Sequence, residues 1–176
     1  MSELLLVKPS YFLKDLIWEY RQEFFDFGET NVNGTGGMAY YDNFEDWLEY
    51  VQSIEKDKLS RNNIHESTFF SLRKCDKKII GSIQLRHTLT DELKEHGGHI
   101  GYGIRPSERK KGYGKQQLLL VLDIAKQMKI HKVMITCDKN NTASSCTAIS
   151  CGGLLSDENL YKEKMQQIYW IDLRAY

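Results

Sequence analysis

The chain lacks most of the features that would place it at once. It has no net charge, because 24 basic and 24 acidic side chains cancel over 176 residues. That balance argues against a protein that binds nucleic acid over its whole surface. No apolar run approaches the ~18 residues that a membrane span needs. The opening Met1-Ser2-Glu3-Leu4-Leu5-Leu6-Val7-Lys8 is too short and too acidic for a secretory signal. Cys75, Cys137, Cys146 and Cys151 include no CxxC pair, so a zinc ribbon or thioredoxin motif is unsupported and no metal is expected. With no export signal, the thiols read as reduced and the protein as cytoplasmic. Internal repeats and linkers are also missing.

What is present points to one domain, residues 1–176. A chain of this length buries roughly 70% of its unfolded surface without a metal or disulfide staple. Hydrophobic residues make up 41% and charged residues 27%, with three Trp, ten Tyr and seven Phe, which excludes a disordered or low-complexity chain. The zero charge is uneven. Residues 1–60 hold 12 acids and 5 bases, a net of −7, and residues 61–176 hold 12 acids and 19 bases, a net of +7. Such a split fits two faces with different partners, or simply exposed acidic helices.

Periodicity orders the chain. Leu4 to Val7 reads as a strand. Pro9 holds Lys8 extended, and Ser10 can cap a helix carrying Leu13, Leu16, Ile17, Tyr20 and Phe24, which Gly28 stops. Gly28 to Gly37, rich in glycine and asparagine, reads as a mobile loop. Asn43 with Asp46 opens a second helix with the stripe Phe44, Trp47, Leu48, Val51 and Ile54. Lys56 to Ser67 reads as loop. Thr68 to Lys74 and Lys78 to His87 form a hairpin around Cys75-Asp76-Lys77, and Thr90 to Glu95 a helical turn broken by Gly97-Gly98. His99 to Arg105 is a further strand. A long helix from about Tyr113 carries Leu118, Val121, Leu122, Ala125 and Met128 on one face. Lys132 to Cys137 is a strand, Asn141 caps a helix ending near Gly152, and the tail from Gly153 to Leu173 makes two antiparallel strands. The sum is one mixed α/β (α+β) domain.

The informative segment is Arg105-Pro106-Ser107-Glu108-Arg109-Lys110-Lys111-Gly112-Tyr113-Gly114-Lys115, between a strand and a helix. Gly112 and Gly114 allow a tight turn and close approach of bare N–H groups to a ligand. The helix N-terminus adds partial positive charge, worth roughly 0.3–1 kcal/mol per anion contact, beside the bases at 109, 110, 111 and 115. This reads as a phosphate cradle. It matches neither the P-loop spacing nor the GxGxxG fingerprint. A plain helix-start loop is the competing reading.

The pattern Arg/Gln-x-x-Gly-x-Gly/Ala, filled by Arg109, Gly112 and Gly114, resembles the acyl-CoA signature of the GNAT superfamily of N-acetyltransferases. The resemblance extends over nearly the whole chain: a strand, two helices, three antiparallel strands, the signature helix, a strand, a helix and closing strands. Residues 97–106 and 137–141 resemble one subgroup of predicted acetyltransferases. The resemblance implies a central mixed, mostly antiparallel sheet of about six or seven strands flanked by about four helices. It implies that backbone groups of Tyr102, Gly103 and Ile104 pair with a pantetheine arm. The amides of Lys110, Lys111, Gly112, Tyr113, Gly114 and Lys115 would hold a pyrophosphate. Asn141 and Ser144 match the family's Asn-x-x-Ser/Ala beside the thiol arm, although Asn141 also reads as an ordinary N-cap.

Acetyl transfer needs a neutral amine. Deprotonating an amine of pKa near ~10.4 at pH 7 costs about 4.6 kcal/mol, part of which a base must supply. Many members place a glutamate early in the fourth strand, but the aligned position here is Gly98. His99 beside it is the first candidate base, against a strand histidine bonded to a neighbour. His96, Glu95 and His87 are weaker candidates. The position where many members place an acidic tyrosine is Ala148, so either another group, Tyr102 or water, protonates the thiolate, or the thiolate leaves unassisted. Cys137, Cys146 and Cys151 read as fillers rather than acyl carriers. Trp47 reads as core, and Tyr40 and Tyr41 go either way between core and acceptor pocket.

The resemblance therefore implies an acetyl-CoA-dependent N-acetyltransferase. It would act on a primary amine of a small molecule or peptide, by direct attack in a ternary complex, as a monomer or homodimer. The acidic first third tilts the acceptor towards a cation. A non-catalytic acyl-CoA-binding module is the main alternative. An RNA binder is disfavoured by the charge balance and by the lack of a stacking platform, and no membrane partner is expected.

Overall fold

The computed structural model describes residues 2–175. Its elements are β1 (Leu4–Val7), α1 (Lys14–Asp26), α2 (Phe44–Lys56), β2 (Glu66–Arg73), β3 (Ile79–Arg86), α3 (Asp91–Glu95), β4 (Ile100–Ile104), α4 (Tyr113–Gln127), β5 (Lys132–Asp138), α5 (Thr142–Ser150), β6 (Leu154–Tyr161) and β7 (Lys164–Asp172). Among the described residues the strands form two antiparallel sheets, ordered β1-β2-β3-β4 and β5-β7-β6. The expected sheet is thus divided between β4 and β5.

Local chemistry sets most boundaries. Asn43 caps α2 by accepting from the Asp46 N–H at 2.9 Å, and the stripe Phe44, Trp47, Leu48, Val51 and Ile54 is buried as its spacing requires. Ser10 makes no side-chain cap, and a short 3-10 turn over Tyr11–Leu13 leads into α1 instead. Gly28 follows α1 at φ 78°, the left-handed conformation that ends helices. In α4 the face of Leu118, Val121, Leu122 and Ala125 is buried, but Met128 lies past the last turn and is exposed.

Two apolar cores lie on opposite faces of the first sheet. One packs Phe69, Ile83, Leu85 and Ile100 against α4, α5 and the second sheet. The other packs Phe70 and Ile79 against Ile17, Tyr20 and Phe24 of α1 and the α2 stripe. Each such aliphatic or aromatic side chain contributes roughly 1.5–3 kcal/mol on burial.

The segment from Gly28 to Gly37 differs from the mobile loop its composition predicts. Val32 and Met38 are core residues. Thr35 is fully buried, its hydroxyl donates to Val32 O at 2.6 Å, and Trp47 Nε1 donates to Thr35 O at 2.7 Å. Gly34 lies so close to β3 and β4 that a Cβ there would stand 2.7 Å from Ser82 O and 2.8 Å from Tyr102 Cα. Gly34 and Gly36 serve close packing here as well as a left-handed backbone, at φ 79° and 66°.

Candidate active site

β4 forms the edge of the first sheet and β5 the edge of the second. They are tied at one end, where the His99 N–H donates to Met134 O at 2.8 Å and the Met134 N–H donates to His99 Nδ1 at 3.0 Å. Beyond that point no ladder joins them among the described residues. β4 pairs with β3 from Leu85↔Ile100 to Gly81↔Ile104. The Arg86 N–H donates to His99 O and the Arg105 N–H to Ile80 O. Hydrogen-bonded pairs alternate in an antiparallel ladder, so the backbone groups of Gly101 and Gly103 are committed to β3. Those of Ile100, Tyr102 and Ile104 face the gap. Of the expected trio, Gly103 therefore turns away, and Ile104 O already accepts from Arg109 Nε at 3.0 Å.

The turn after β4 has the conformation a cradle needs. Lys110 (φ 62°) and Gly112 (φ 80°) are left-handed, and Gly112 is the N-cap of α4. The first hydrogen bond of α4 runs from the Gln116 N–H to Gly112 O at 3.4 Å. The amides from Lys110 to Lys115 make no backbone hydrogen bond among the described residues, so they are available to an anion. Gly114 has a second reason to be glycine: a Cβ would lie 3.2 Å from Thr147 Oγ1 on α5.

The basic side chains are less free than the sequence implies. Arg109 makes a two-point ion pair with Glu29, at 2.6 and 3.1 Å, and lies over the Phe24 ring. It fastens the turn to α1 instead of lining the cradle. Buried Glu108 holds Lys111 at 2.9 Å, Arg73 at 3.0 Å and Lys78 at 3.1 Å. These contacts pull the Glu108 carboxyl to about 2, against the desolvation that raises it. Lys110 and Lys115 are both exposed beside the amides. Arg105, 2% exposed, is held by Glu19 at 3.0 Å and Glu23 at 3.2 Å. Part of the acidic first third is therefore matched to bases of the turn region, while Glu45 and Glu55 pair with Lys14 and Lys8 of the same third.

Tyr102 crosses the gap. Its hydroxyl lies 2.9 Å from Ser144 Oγ, and burial raises its pKa, so it stays protonated at neutral pH. Asn141 uses its side-chain oxygen to accept from the Ser144 N–H at 3.1 Å and cap α5. The structure thus brings Tyr102, Ser144 and Asn141 together. Ala148 belongs to the core cluster against which Tyr102 packs, so a hydroxyl arrives from the strand where family resemblance looked for one on the helix.

His99 is 7% exposed, and its pKa is lowered to about 4 by desolvation and by the Arg86 charge. Its Nδ1 lone pair is taken by Met134, which leaves the proton on Nε2. This neutral imidazole is a strut between the sheets, with no lone pair open to a substrate proton. Gly98 explains why no glutamate stands beside it: φ is 61°, and a Cβ would meet Met134 O at 2.6 Å. His96 stacks on Tyr161 at 3.8 Å, and Glu95 O accepts from Asn159 and Gln166, so both dock the β6–β7 hairpin. His87 Nε2 lies 2.9 Å from Ser67 Oγ at the far end of β3. Burial raises the pKa of Cys137 and of Cys151, so neither is a ready thiolate, and Cys146 is exposed. Trp47 is fully buried core; Tyr40 is exposed, and Tyr41 stacks on Tyr50 at 5.9 Å on the outer side of α2.

Sequence reasoning missed Gln117, which is fully buried in α4. It accepts from Ser71 Oγ at 2.6 Å and donates to Ser82 O at 3.1 Å, pinning α4 over β2 and β3. Its only trace in the sequence is one polar residue inside an apolar helix face.

A split sheet whose edge strand runs into a left-handed turn and an open helix N-terminus is the architecture of an acyl-CoA-dependent acyltransferase. The family model described as "Acetyltransferase (GNAT) domain" matches residues 22–153, and the chain belongs to this family of N-acetyltransferases. No curated protein sequence matches it. Solved structures share the fold at low identity. A mutant of the spermidine N-acetyltransferase SpeG from Vibrio cholerae is 16% identical, with 100% of this chain and 97% of that chain covered and a TM-score of 0.70. A GNAT-family acetyltransferase from Bacillus anthracis is 19% identical, with coverage of 98% and 96% and a TM-score of 0.65. The microcin C7 self-immunity acetyltransferase MccE, solved with acetyl-CoA and AMP, is 18% identical, with coverage of 98% and 93% and a TM-score of 0.67.

Proposed function

We propose that the protein transfers the acetyl group of acetyl-CoA to a primary amine of a small molecule or peptide, by direct attack in a ternary complex. The observation that carries this reading is the β4–β5 gap: a strand edge with unpaired Tyr102 backbone groups leads into the uncommitted amides of Lys110 to Lys115. Those amides, with Lys110 and Lys115, would hold the pyrophosphate, and the Tyr102 edge would pair with the pantetheine arm. Transfer needs no acyl-enzyme, because the nearby cysteines are protonated fillers.

The protonated Tyr102 hydroxyl, oriented by Ser144, is the donor for the departing thiolate. No side-chain base replaces the glutamate that Gly98 excludes. Arg86 beside β4 is paired with Glu66 at 4.0 Å, and the amine is left to lose its proton to water. The spermidine acetyltransferases among the structural neighbours support a small amine as acceptor. Arg105 and Arg109, paired with Glu19, Glu23 and Glu29, offset only two of the seven excess negative charges in residues 1–60.

The missing glutamate and helix tyrosine favour a second reading, a non-catalytic acyl-CoA-binding module. Thermal stability measured with acetyl-CoA, CoA and a short RNA, followed by thiol release against an amine panel, separates the possibilities. Stabilisation by acetyl-CoA with thiol release is expected. Absence of any shift with acetyl-CoA removes the reading, and a shift without turnover on any amine favours the binding module.

A further inference from the structure

On the face of β2 and β3 that lies under α2, two buried polar atoms have no hydrogen bond: Thr68 Oγ1 and Gln84 Nε2. The two residues are cross-strand partners, and they are 2% and 6% exposed. The next position along the same row is Gly101, the β4 partner of Gln84. A Cβ at Gly101 would meet nothing within 4 Å, so the row is open over Gly101. Gly36 forms the roof, where a Cβ would lie 3.2 Å from Gln84 Nε2 and 3.7 Å from Thr68 Oγ1. In the adjoining row Arg86 Nε is also buried without a hydrogen bond, 4.0 Å from Glu66.

Buried hydroxyl and amide groups without partners lower stability, and native proteins rarely keep them. Val and Met have nearly the shapes of Thr and Gln and would fill this space without that loss. Polar groups at such positions, in the row that ends at open Gly101 of β4, are explained if a ligand completes their hydrogen bonds.

We propose that the Thr68 hydroxyl and the Gln84 amide are positioning groups of the acceptor subsite over Gly101, and that the acceptor bears a hydrogen-bonding oxygen close to its amine. The proposal rests on the acetyl-transfer reading and sharpens it. Gln84 Nε2 and Arg86 Nε offer only N–H donors, and the Thr68 hydroxyl supplies a donor or an acceptor. A carbonyl or amide oxygen satisfies that set. A second ammonium brings only more donors to a row whose free groups are mostly N–H donors already, so a simple polyamine suits this row poorly. Alternation along β4 keeps the two substrates apart: Gly101 faces α1 and α2, and Tyr102 faces the gap and α5.

The test uses three amines, glycinamide, propylamine and spermidine, with wild type, Thr68→Val and Gln84→Met. The ratio of kcat/KM for glycinamide over propylamine is compared between proteins, which cancels the difference in amine basicity. Each variant is expected to fold with equal or higher Tm and to keep its acetyl-CoA-induced Tm shift. The glycinamide preference should fall about tenfold or more, as when a site built to hydrogen-bond a group loses its partner, chiefly through KM. An unchanged ratio overturns the proposal, as does a wild-type preference for spermidine that survives in both variants. A lowered Tm with unchanged ratio shows a structural role and also overturns it. If wild type releases no thiol with any amine, the acetyl-transfer reading fails separately. Glycinamide binding to the CoA-saturated protein then decides, and equal binding by wild type and Gln84→Met overturns the subsite.

Discussion

His99 is neutral at physiological pH because it is buried beside Arg86, and it serves as an acceptor for the Met134 N–H. Its folded pKa, about 4, lies below its model value of 6.5. The unfolded chain therefore binds the proton more readily. The stability this group contributes is complete above pH 6.5 and is lost as pH falls towards 4. Replacing it, as in His99→Leu, leaves the Met134 amide unpaired and should cost about 1–3 kcal/mol at pH 7. It should also remove part of the stability lost between pH 6.5 and 4. Urea unfolding at pH 7 and pH 5 checks both outcomes, and a variant as pH-dependent as wild type contradicts the strut. The sequence places His99 correctly, next to a glycine where the family resemblance expects an acid. Its role was not legible, because Met134 lies 35 residues away and only folding supplies the partner that consumes the lone pair.

At the scale of elements, the turn before α4 is held by α1. Arg105 sits between Glu19 and Glu23, and Glu23 also accepts from the Ser107 N–H at 2.9 Å. Removing both carboxylates, Glu19→Gln with Glu23→Gln, strands a buried guanidinium. The double variant should lose about 3–5 kcal/mol, read as a lower denaturation midpoint. Gly112→Ala meets no neighbour but must adopt φ 80°, so it should cost about 1–2 kcal/mol and weaken acetyl-CoA binding through the displaced amides. A Tm equal to wild type would mean that the turn relaxes elsewhere. The start of α4 at Tyr113, the α2 cap and the loop positions were legible because caps and glycines act locally. The division of the sheet, and the anchoring of the 28–37 segment by Trp47 and Thr35, depend on contacts between distant residues that no window of sequence contains.

The whole molecule is two sheets joined at His99 and Met134, with one apolar core shared across the join. A ligand seated in the gap touches both halves and stabilises them together. Acetyl-CoA at 100 times its dissociation constant should raise the unfolding free energy by about 2.7 kcal/mol. The gain should fall with added salt if, as proposed, amides and two exposed lysines hold the phosphates near a surface where charge is screened over about 8–10 Å. Calorimetry at low and high salt checks this. The neutral total charge conceals ion pairs between the acidic first third and the basic turn. Mixing of the two charge populations was invisible in the sequence because it required α1 to lie across the start of α4.

The alternation of side chains along β4 has a consequence for descent. Five residues, Ile100 to Ile104, turn odd positions to one side of the sheet and even positions to the other. Under the proposed acetyl transfer, changes at 101 and its row partners would alter which amine is accepted while 102 and 104 would keep the acyl donor. A lineage built on this strand would then be free to wander among acceptors without relearning its cosubstrate.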